Sequence, residues 1–482
     1  MLLLTVVLLP FVAAGGAALF VSRATRATIM VAVAVIHMVL VATLWWTRDA
    51  RAVSGWLAVD PLGLVTLTLV SVLFLISAHY AAGLVGGVMP RGGRAFVSCM
   101  LAFLGSASLV TVSQHVALLW VGMEATTLAC APLIYHEEDR RSLEAVWKYL
   151  VLSSVGIALA LVAVFLLATA QPSAPGVRPL VMDDLVRQAA TGMLDPRWLR
   201  AAFVFALVGF GTKMGLAPLH TWKPDTYGEA PSLVSGLMAG ALTSCAFVAV
   251  ARFTAVLTSA GLGDFTRPLL IAFGLVSLLV AAAFVIGQAD VKRLLAYSSV
   301  EQMGLLVLGL GLGGVAAYGS LLQMLNNGLV KVLLFLVVGN LVLVTGTSVA
   351  ANMRGMLRIR PASAVLLLVG LFALTGCPPF GMFVSELTII SGAIQERRIW
   401  LATATIVLLA IIFIGIARMM LEVVYGEPAP AGESDRLRGE RPWLLVGPFA
   451  LAALLLMLGV YIPVPLHDAL AKAARALGGF AP

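Results

Sequence analysis

Long apolar runs, separated by short polar segments, occupy almost all of this 482-residue chain. Most runs are about 20 residues long, which is the length that a helix needs to cross the hydrocarbon core of a bilayer. The pattern predicts an all-α integral membrane protein with about fourteen transmembrane helices. The predicted helices span residues 2–21, 28–46, 61–83, 95–113, 115–135, 144–170, 199–219, 231–253, 266–288, 291–313, 316–345, 361–394, 399–424 and 442–465.

The seventh and twelfth predicted helices are interrupted by glycine and proline, in GFGTKMGLAPLHTWKPD and FALTGCPPFGMFVSEL. Proline removes a backbone donor and glycine permits unwinding, and non-helical backbone at membrane depth is tolerated only against protein or water. Interruptions five helices apart predict two inverted five-helix repeats. The predicted organisation is three N-terminal helices in 1–94, a first repeat in 95–253, a second in 254–425, and a C-terminal loop with the last helix in 426–482.

Four charged residues lie inside the apolar runs: Glu124, Lys213, Lys331 and Glu386. A charge at the bilayer centre costs roughly 2.5–3.5 kcal/mol on insertion scales, so such residues usually mark a path for ions or protons. Glu124 and Lys213 are predicted to pair as a gate, in which an arriving proton weakens the pair and releases the lysine. The alternative is a static salt bridge between two helices.

The eleventh predicted helix carries Lys331 together with several amides, which a lipid-facing helix would not hold. These amides are Gln323, Asn326, Asn327 and Asn340. Glu301, preceded by Ser298 and Ser299, is a fifth buried carboxyl on the tenth predicted helix. It either takes part in proton movement or serves only as a partner for Lys331.

Three further candidates lie near the ends of their helices. His220 follows the first interruption and titrates near neutral pH, so it either carries protons to solvent or belongs to a rigid polar connector with Lys223, Asp225 and Glu229. Glu144 and Lys148 are four residues apart and share a helix face. They either anchor the helix end or, through Glu144, steady the Glu124–Lys213 pair.

Composition excludes several classes of function. The chain is 61% hydrophobic and 11% charged, whereas soluble domains are about 25% charged. The +8 net charge is spread over loops, so nothing favours nucleic-acid binding. No Walker loop and no histidines at haem- or zinc-ligand spacing occur, and the cysteines are scattered singly at 99, 130, 245 and 377. We therefore expect no catalytic residue, cofactor or metal on this chain.

An even number of helices places both termini on one side of the membrane. Lysine and arginine are more numerous in the loops on the opposite side. Because positively charged loops stay in the cytoplasm, the sequence predicts a multi-pass protein of the cell inner membrane with both termini in the periplasm.

Three motifs resemble those of proton-pumping antiporter-like subunits. LHTWKPDTYGEAPS resembles their HxWLPDAHxxAPT segment, KRLLAYSSVEQMG resembles KRLLAYSSI, and TGCPPFGMFVSEL resembles GxPPxxGFxxEF. This family comprises subunits of respiratory complex I, multi-subunit Na⁺/H⁺ antiporters and group 4 membrane-bound hydrogenases, and the similarity covers roughly residues 60–425. The segments LWVGMEATTLACAPLIY and SLEAVWKYLVLSSVGIALAL look most like component F of hydrogenase-4 and formate hydrogenlyase-type complexes.

The resemblance implies a gating pair at Glu124 and Lys213, a central relay at Lys331 and an exit residue at Glu386. It also implies partners: other membrane subunits and hydrophilic subunits that hold the redox centres. Two positions depart from the family pattern, because Ser244 stands where relatives usually carry a lysine and Asn327 where they often carry a histidine. Neither side chain holds a proton at neutral pH, so continuity between the two halves is open.

The leading interpretation is a proton-translocating subunit of a hydrogenase-like membrane complex. The alternatives are an antiporter-like subunit of complex I, a subunit of a Na⁺/H⁺ antiporter, or a membrane scaffold whose ion pairs no longer transport. These interpretations differ in partner proteins more than in this chain.

Overall fold

The computed structural model describes residues 1–20, 22–47, 50–84, 93–172, 178–427 and 440–479. These residues are almost entirely helical. They also contain one short antiparallel strand pair, formed by β1 (Arg51–Ala52) and β2 (Leu57–Ala58).

The first half of the chain contains eleven helices among the described residues. They are α1 (Leu2–Leu19), α2 (Arg23–Leu44), α3 (Pro61–Leu84), α4 (Gly93–Val112), α5 (Val116–Ile134), α6 (Arg140–Ala170), α7 (Met182–Ala190), α8 (Pro196–Met214), α9 (Trp222–Glu229), α10 (Ser232–Leu237) and α11 (Thr243–Ser259). A π-helical turn, Met238–Leu242, joins α10 to α11, so that Ser232–Ser259 is one continuous helix.

The second half continues in the same way. Its helices in the described part are α12 (Gly263–Val285), α13 (Val291–Leu312), α14 (Gly314–Thr345), α15 (Met356–Ile359), α16 (Pro361–Leu374), α17 (Gly381–Gln395), α18 (Ile399–Tyr425), α19 (Pro442–Val460) and α20 (Val464–Ala476). Short 3₁₀ turns lie between some of them.

Polar residues at the membrane surface set several helix ends. At the start of α6, the Asp139 side chain accepts from the Ser142 amide while the Ser142 hydroxyl accepts from the Asp139 amide, which is a capping box. At the start of α8, Asp195 accepts from the Arg197 amide and is followed by Pro196 at the first helical position. These caps satisfy amides that have no partner within the helix.

Twelve helices in the described residues are long and apolar enough to cross a membrane. They are α1–α6, the continuous helix Ser232–Ser259, α12–α14, α18 and α19. The two remaining predicted crossings are the interrupted ones, formed by α8 with α9 and by α16 with α17. The structure confirms a polytopic α-helical membrane protein with breaks at both predicted places, while the total of fourteen stays a prediction.

The core of the bundle is the helix Ser232–Ser259 with α13 and α14, whose spans are 100%, 94% and 78% buried within the chain. Only about a third of the spans of α1, α18 and α19 is buried, and these helices form the outside. As predicted for α14, the amides Gln323, Asn326, Asn327 and Asn340 are all buried. Helix α14 therefore carries four buried amides and the buried Lys331 through the core of the bundle.

Two glycines let α6 and α8 approach closely. A Cβ at Gly156 of α6 would lie 2.7 Å from Thr212 Cβ, and a Cβ at Gly209 of α8 would lie 2.6 Å from the Ala160 backbone nitrogen. Small residues permit such close helix packing in membranes. The contact fixes the end of α8, where Lys213 lies, against α6.

Candidate ion path

The first break joins α8 to α9 and holds two buried lysines. Helix α8 ends at Gly215, whose φ of 75° is a left-handed conformation that glycine adopts without strain. The chain then passes through His220 into α9, where Trp222 Nε1 donates to the Thr212 carbonyl oxygen at 2.8 Å. Lys213 before the break and Lys223 after it are both fully buried.

Lys213 is held by two hydroxyl groups. Its Nζ atom donates to Thr127 Oγ1 at 2.8 Å and to the Tyr149 hydroxyl at 2.9 Å. The same ammonium lies 4.8 Å from the centroid of the Tyr149 ring, which adds a cation–π contact. Helices α5 and α6 thus supply the partners of a lysine on α8.

Glu124 reaches Lys213 through Thr127. The Thr127 hydroxyl accepts from Lys213, and its one hydrogen has two acceptors, Glu124 Oε2 at 3.2 Å and the Met123 carbonyl oxygen at 3.3 Å. The predicted direct pairing is therefore corrected: among the described residues no Glu124–Lys213 ion pair forms. The reason is that Thr127, almost one turn after Glu124 on α5, places its hydroxyl between the two charges.

The second break joins α16 to α17 and places Glu386. Gly376, with a φ of 64°, opens the break, and a Cβ there would overlap the Glu386 carboxyl group. Glu386 is buried on α17, and its Oε1 atom accepts from Gln323 Nε2 at 3.4 Å. The absent side chain of Gly376 leaves the space that the carboxyl group occupies.

A row of amides links Glu386 to Glu301. Gln302 Nε2 donates to Glu301 Oε1 at 3.2 Å, and the side-chain Oε1 atom of Gln302 accepts from Gln323 Nε2, which also donates to Glu386. The Ser385 hydroxyl donates to the side-chain Oε1 atom of Gln323. All these side chains are buried, so two carboxyl groups on α13 and α17 are connected by a continuous hydrogen-bonded series.

Lys331 lies near Glu301 but, among the described residues, has no hydrogen bond to this series. It is fully buried on α14, and its Nζ atom donates to the Ser298 hydroxyl and, at 3.2 Å, to the Leu295 carbonyl oxygen. Glu301 is the acidic side chain whose charge acts on Lys331. Glu301, almost one turn after Ser298 on α13, is thus the carboxyl group nearest in effect to Lys331, as both sequence interpretations of Glu301 allow.

Glu144 and Lys148 belong to a surface cluster rather than to the Lys213 site. Lys148 Nζ forms ion pairs of 2.7 Å with Glu144 and with Asp225, and Arg293 also pairs with Asp225. The cluster lines a cavity of about 400 Å³ that includes Glu229. One sequence interpretation expected Glu144 to steady the Glu124–Lys213 pair. The Glu144 side chain is 67% exposed and does not contact that buried pair, so the structure favours the other interpretation, an anchor at the helix end.

His220 lies in the first break, as expected. Its side chain is buried, its Nδ1 atom has no hydrogen-bond partner in the part of the chain that the structure describes, and its ring lies 6.3 Å from that of Tyr297. It is close enough to Lys223 for the lysine charge to act on it. The structure therefore places His220 beside a second buried lysine rather than beside Lys213.

The two positions that depart from the family pattern are both buried between the halves. The Ser244 hydroxyl donates to the Gly240 carbonyl oxygen of its own helix at 2.6 Å. Asn327, one turn before Lys331, has an amide group with no hydrogen-bond partner among the described residues. Neither side chain links the two polar series.

Comparison with known proteins assigns the chain to a family. The model of the family "NADH:quinone oxidoreductase/Mrp antiporter, TM" matches residues 113–412, which is more than half of the chain. The hydrogenase-4 component F homolog of Methylacidiphilum infernorum is 34% identical over 414 residues, covering 84% of this chain and 85% of the relative. This chain belongs to that antiporter-like family. All eight predicted site residues lie within the matched range.

Other members of the antiporter-like family are similar along most of their length. Subunit N of the NADH-quinone oxidoreductase of Moorella thermoacetica is 29% identical, over 92% of this chain and 91% of the relative. Among solved structures, a chain of the Mrp complex from Dietzia sp. superposes with a TM-score of 0.88 at 20% identity, over 99% of this chain and 97% of that chain. The structural likeness confirms the fold.

Sequence reasoning missed the neutral side chains of this antiporter-like subunit. Thr127, Tyr149 and Gln302 were not singled out, although each lies within four residues of a residue that was. Lys223 was noted only as part of a polar connector. Thr127 could have been found from its spacing to Glu124, whereas Tyr149 touches Lys213 from 64 residues away and needed the tertiary structure.

Proposed function

We propose that this chain moves protons across the inner membrane as one subunit of a larger redox complex. The observation that supports the proposal is the pairing of two buried polar series, each beside a broken helix: Glu124–Thr127–Lys213 at the first break, and Lys331 with the carboxyl groups of Glu301 and Glu386 at the second. Buried ionisable residues in membrane spans are costly and usually serve such paths.

The titratable groups carry the proton in this proposal, and the neutral groups position them. A carboxyl group that takes up a proton loses its attraction for the neighbouring lysine, which weakens the contact through Thr127 and frees Lys213. In the second series, Gln302 and Gln323 hold two carboxyl groups in fixed positions relative to each other. His220 and the Glu144–Lys148 cluster are proposed as the connection of the first break to solvent.

We propose a hydrogenase-type complex as the partner, because the component F homolog of hydrogenase-4 is a relative with 34% identity over most of both chains. The redox centres would reside on other subunits. The match to subunit N of NADH-quinone oxidoreductase supports a complex I-type partner as an alternative, and the likeness to the Mrp complex supports a Na⁺/H⁺ antiporter. The unlinked Ser244 and Asn327 favour the non-transporting scaffold as the alternative of another class.

The proposed arrangement in the membrane follows the sequence prediction. The two breaks fall in the proposed repeats 95–253 and 254–425, and residues 1–94 and 426–482 flank them. The contacts of the described residues group Glu144, Asp225 and Arg293 at one end of the bundle, and Arg51, Arg252 and Arg475 at the other. We propose that the first end faces the cytoplasm and that both termini lie in the periplasm.

The test is Lys213→Ala in the complete complex, purified through a tag on this chain and reconstituted in proteoliposomes. Proton uptake and redox turnover are measured together, so that the ratio of protons to electrons is obtained. We expect the ratio to fall at least about tenfold while the complex still assembles, since the lysine is the central charge of the first series. Lys472→Ala, an exposed lysine on α20, is the control. A normal ratio in Lys213→Ala would refute the proposal.

A further inference from the structure

We propose that Lys223 carries the proton between the two halves of the path. It would replace the basic residues that relatives carry at the positions of Ser244 and Asn327 in this chain. The inference rests on the proposed function. The family motif does not explain this lysine in the first break. The HxWLPDAHxxAPT segment of the family has leucine where this chain has Lys223.

Lys223 is buried without a hydrogen-bond partner. Among the described lysines, Lys213, Lys223 and Lys331 have no exposed surface, and the first and last of them are hydrogen-bonded. The Lys223 Nζ atom has no hydrogen-bond partner within the described residues. A buried ammonium without a partner is strongly unfavourable, and neither an ion pair nor a hydrogen bond from the described residues holds Lys223 in its charged form.

Lys223 lies beside the break that ends the first series, and Lys331 is the charged group that acts on it. The Lys223 side chain passes directly over Gly215, two residues after Lys213. The titratable groups around it are Lys331, His220 and Tyr227, whose ring centroid lies 5.9 Å from Nζ. Tyr227 in turn contacts Phe335, one turn after Lys331 on α14.

In both breaks, the side chain of an ionisable residue occupies the space beside a glycine with positive φ. A Cβ at Gly215 would lie 2.2 Å from Lys223 Cε, just as a Cβ at Gly376 would overlap the Glu386 carboxyl group. Both glycines have positive φ, 75° and 64°. Each break thus uses a glycine to make room for one buried charge. Lys223 occupies at the first break the place that Glu386 occupies at the second.

Repulsion between like charges supplies the mechanism. Two buried lysines within electrostatic reach of each other do not both stay charged, so a proton on Lys223 disfavours one on Lys331 and the reverse. Lys223 accepts a proton as the neutral amine after Lys213 is released, and passes it to the neutral amine of Lys331. Each lysine alternates between ammonium and amine, and no other bond changes.

The test compares two substitutions in the reconstituted complex. Lys223→Met removes the amine but keeps an unbranched chain beside Gly215, and Lys223→Arg keeps the charge but does not release a proton near neutral pH. We expect both variants to assemble and to retain redox turnover. We expect their proton-to-electron ratio to fall at least about tenfold. If Lys223→Met fails to assemble, Lys223→Arg decides, because it preserves the charge.

The outcomes separate this inference from the proposed function. A ratio within about twofold of normal in Lys223→Arg would show that only the charge matters and would overturn the relay. Normal ratios in both variants, with loss in Lys213→Ala, would overturn the role of Lys223 and leave the proposed function standing. A normal ratio in Lys213→Ala would overturn both. Lys223→His adds a second readout: a proton carrier shifts the pH dependence of proton movement to lower pH, because imidazole titrates below an amine.

Discussion

At the scale of single residues, neutral side chains determine how the buried charges are arranged. Thr127 separates Glu124 from Lys213, and Tyr149 completes the lysine's hydrogen bonds. A hydroxyl that accepts from one charge and donates to another transmits a change in either, because both hydrogen bonds depend on its orientation. The charged residues alone therefore do not define the site.

Thr127→Val is expected to lower the proton-to-electron ratio severalfold, since valine keeps the shape of threonine but removes the hydroxyl between the two charges. The measurement is the ratio in proteoliposomes. Thr126→Val is the matched control, because the equally buried Thr126 hydroxyl donates, among the described residues, only to the Met123 carbonyl oxygen of its own helix. Equal effects of both substitutions would show that Thr127 acts through local packing instead.

At the scale of elements, the interruptions of α8–α9 and α16–α17 position the ionisable groups. In a continuous helix the backbone itself would fill the space at the axis, and a side chain from the next segment could not enter it. The left-handed glycines at 215 and 376 instead end the helices and leave room for a side chain that comes from the next segment. The breaks are thus part of the site.

Gly376→Ala is expected to displace the Glu386 carboxyl group and to lower the proton-to-electron ratio. The left-handed conformation also costs about 1–2 kcal/mol for an alanine. Gly346→Ala is the matched control, since its φ is 68° but a Cβ there would meet nothing within 4 Å. Both variants should lose stability in thermal unfolding, Gly376→Ala more because it also displaces a buried carboxyl group, and only Gly376→Ala should lose proton movement. Loss of proton movement in both variants would show that backbone strain causes the effect.

The surface helix α7 is held by one acidic residue. Hydrogen bonds from the Arg178 side chain, its backbone amide and Arg187 lower the pKa of Asp184 to about 2. Because the folded pKa lies below the ordinary value near 3.8, this stabilisation is complete at neutral pH and is lost as the pH falls toward 2. The helix is therefore fixed by an ion pair that persists throughout the physiological range.

Asp184→Asn is expected to speed hydrogen exchange of α7 at pH 7, measured by mass spectrometry, because the amide cannot replace the carboxylate as an acceptor for two arginines. Asp183→Asn is the control. Asp183 pairs with Arg51, its side chain is 46% exposed, and exposed pairs contribute little. Unchanged exchange in Asp184→Asn would show that apolar packing alone holds the helix.

At the scale of the whole molecule, the polar ends of the bundle indicate how it lies in the membrane. Arg51 of β1, Arg178 before α7 and Arg475 near the end of α20 line one cavity, although they are more than a hundred residues apart along the chain. The cluster of Lys148, Asp225 and Arg293 forms the opposite end. The helices between them must cross in alternate directions for these segments to meet.

Single cysteines in a background without the four native ones test this arrangement. We expect Arg187→Cys and Lys472→Cys to react with a membrane-impermeant maleimide from the periplasmic side, and Glu144→Cys only after the membrane is opened. All three positions are exposed. Reaction of Lys472→Cys and Glu144→Cys from the same side would contradict the predicted crossings. A uniform reversal would overturn only the proposed orientation.

The sequence alone determined the membrane fold, the places of both breaks and the residues that carry charge. These features are local: a span is read from about 20 consecutive residues, and a break from glycine and proline beside each other. The family motifs are local as well. The predicted helices therefore agree with the structure to within a few residues at most ends.

Only the tertiary structure decided which charges meet. The Lys213 ammonium donates to Thr127 and Tyr149, which lie 86 and 64 residues away along the chain, and Lys331 donates to Ser298, which lies 33 residues away. Lys223 looks like a connector residue in the sequence, but the fold buries it completely. The physical reason is that contacts between helices depend on their rotation and packing distance, which glycines such as Gly156 and Gly209 set, and no local pattern records these quantities.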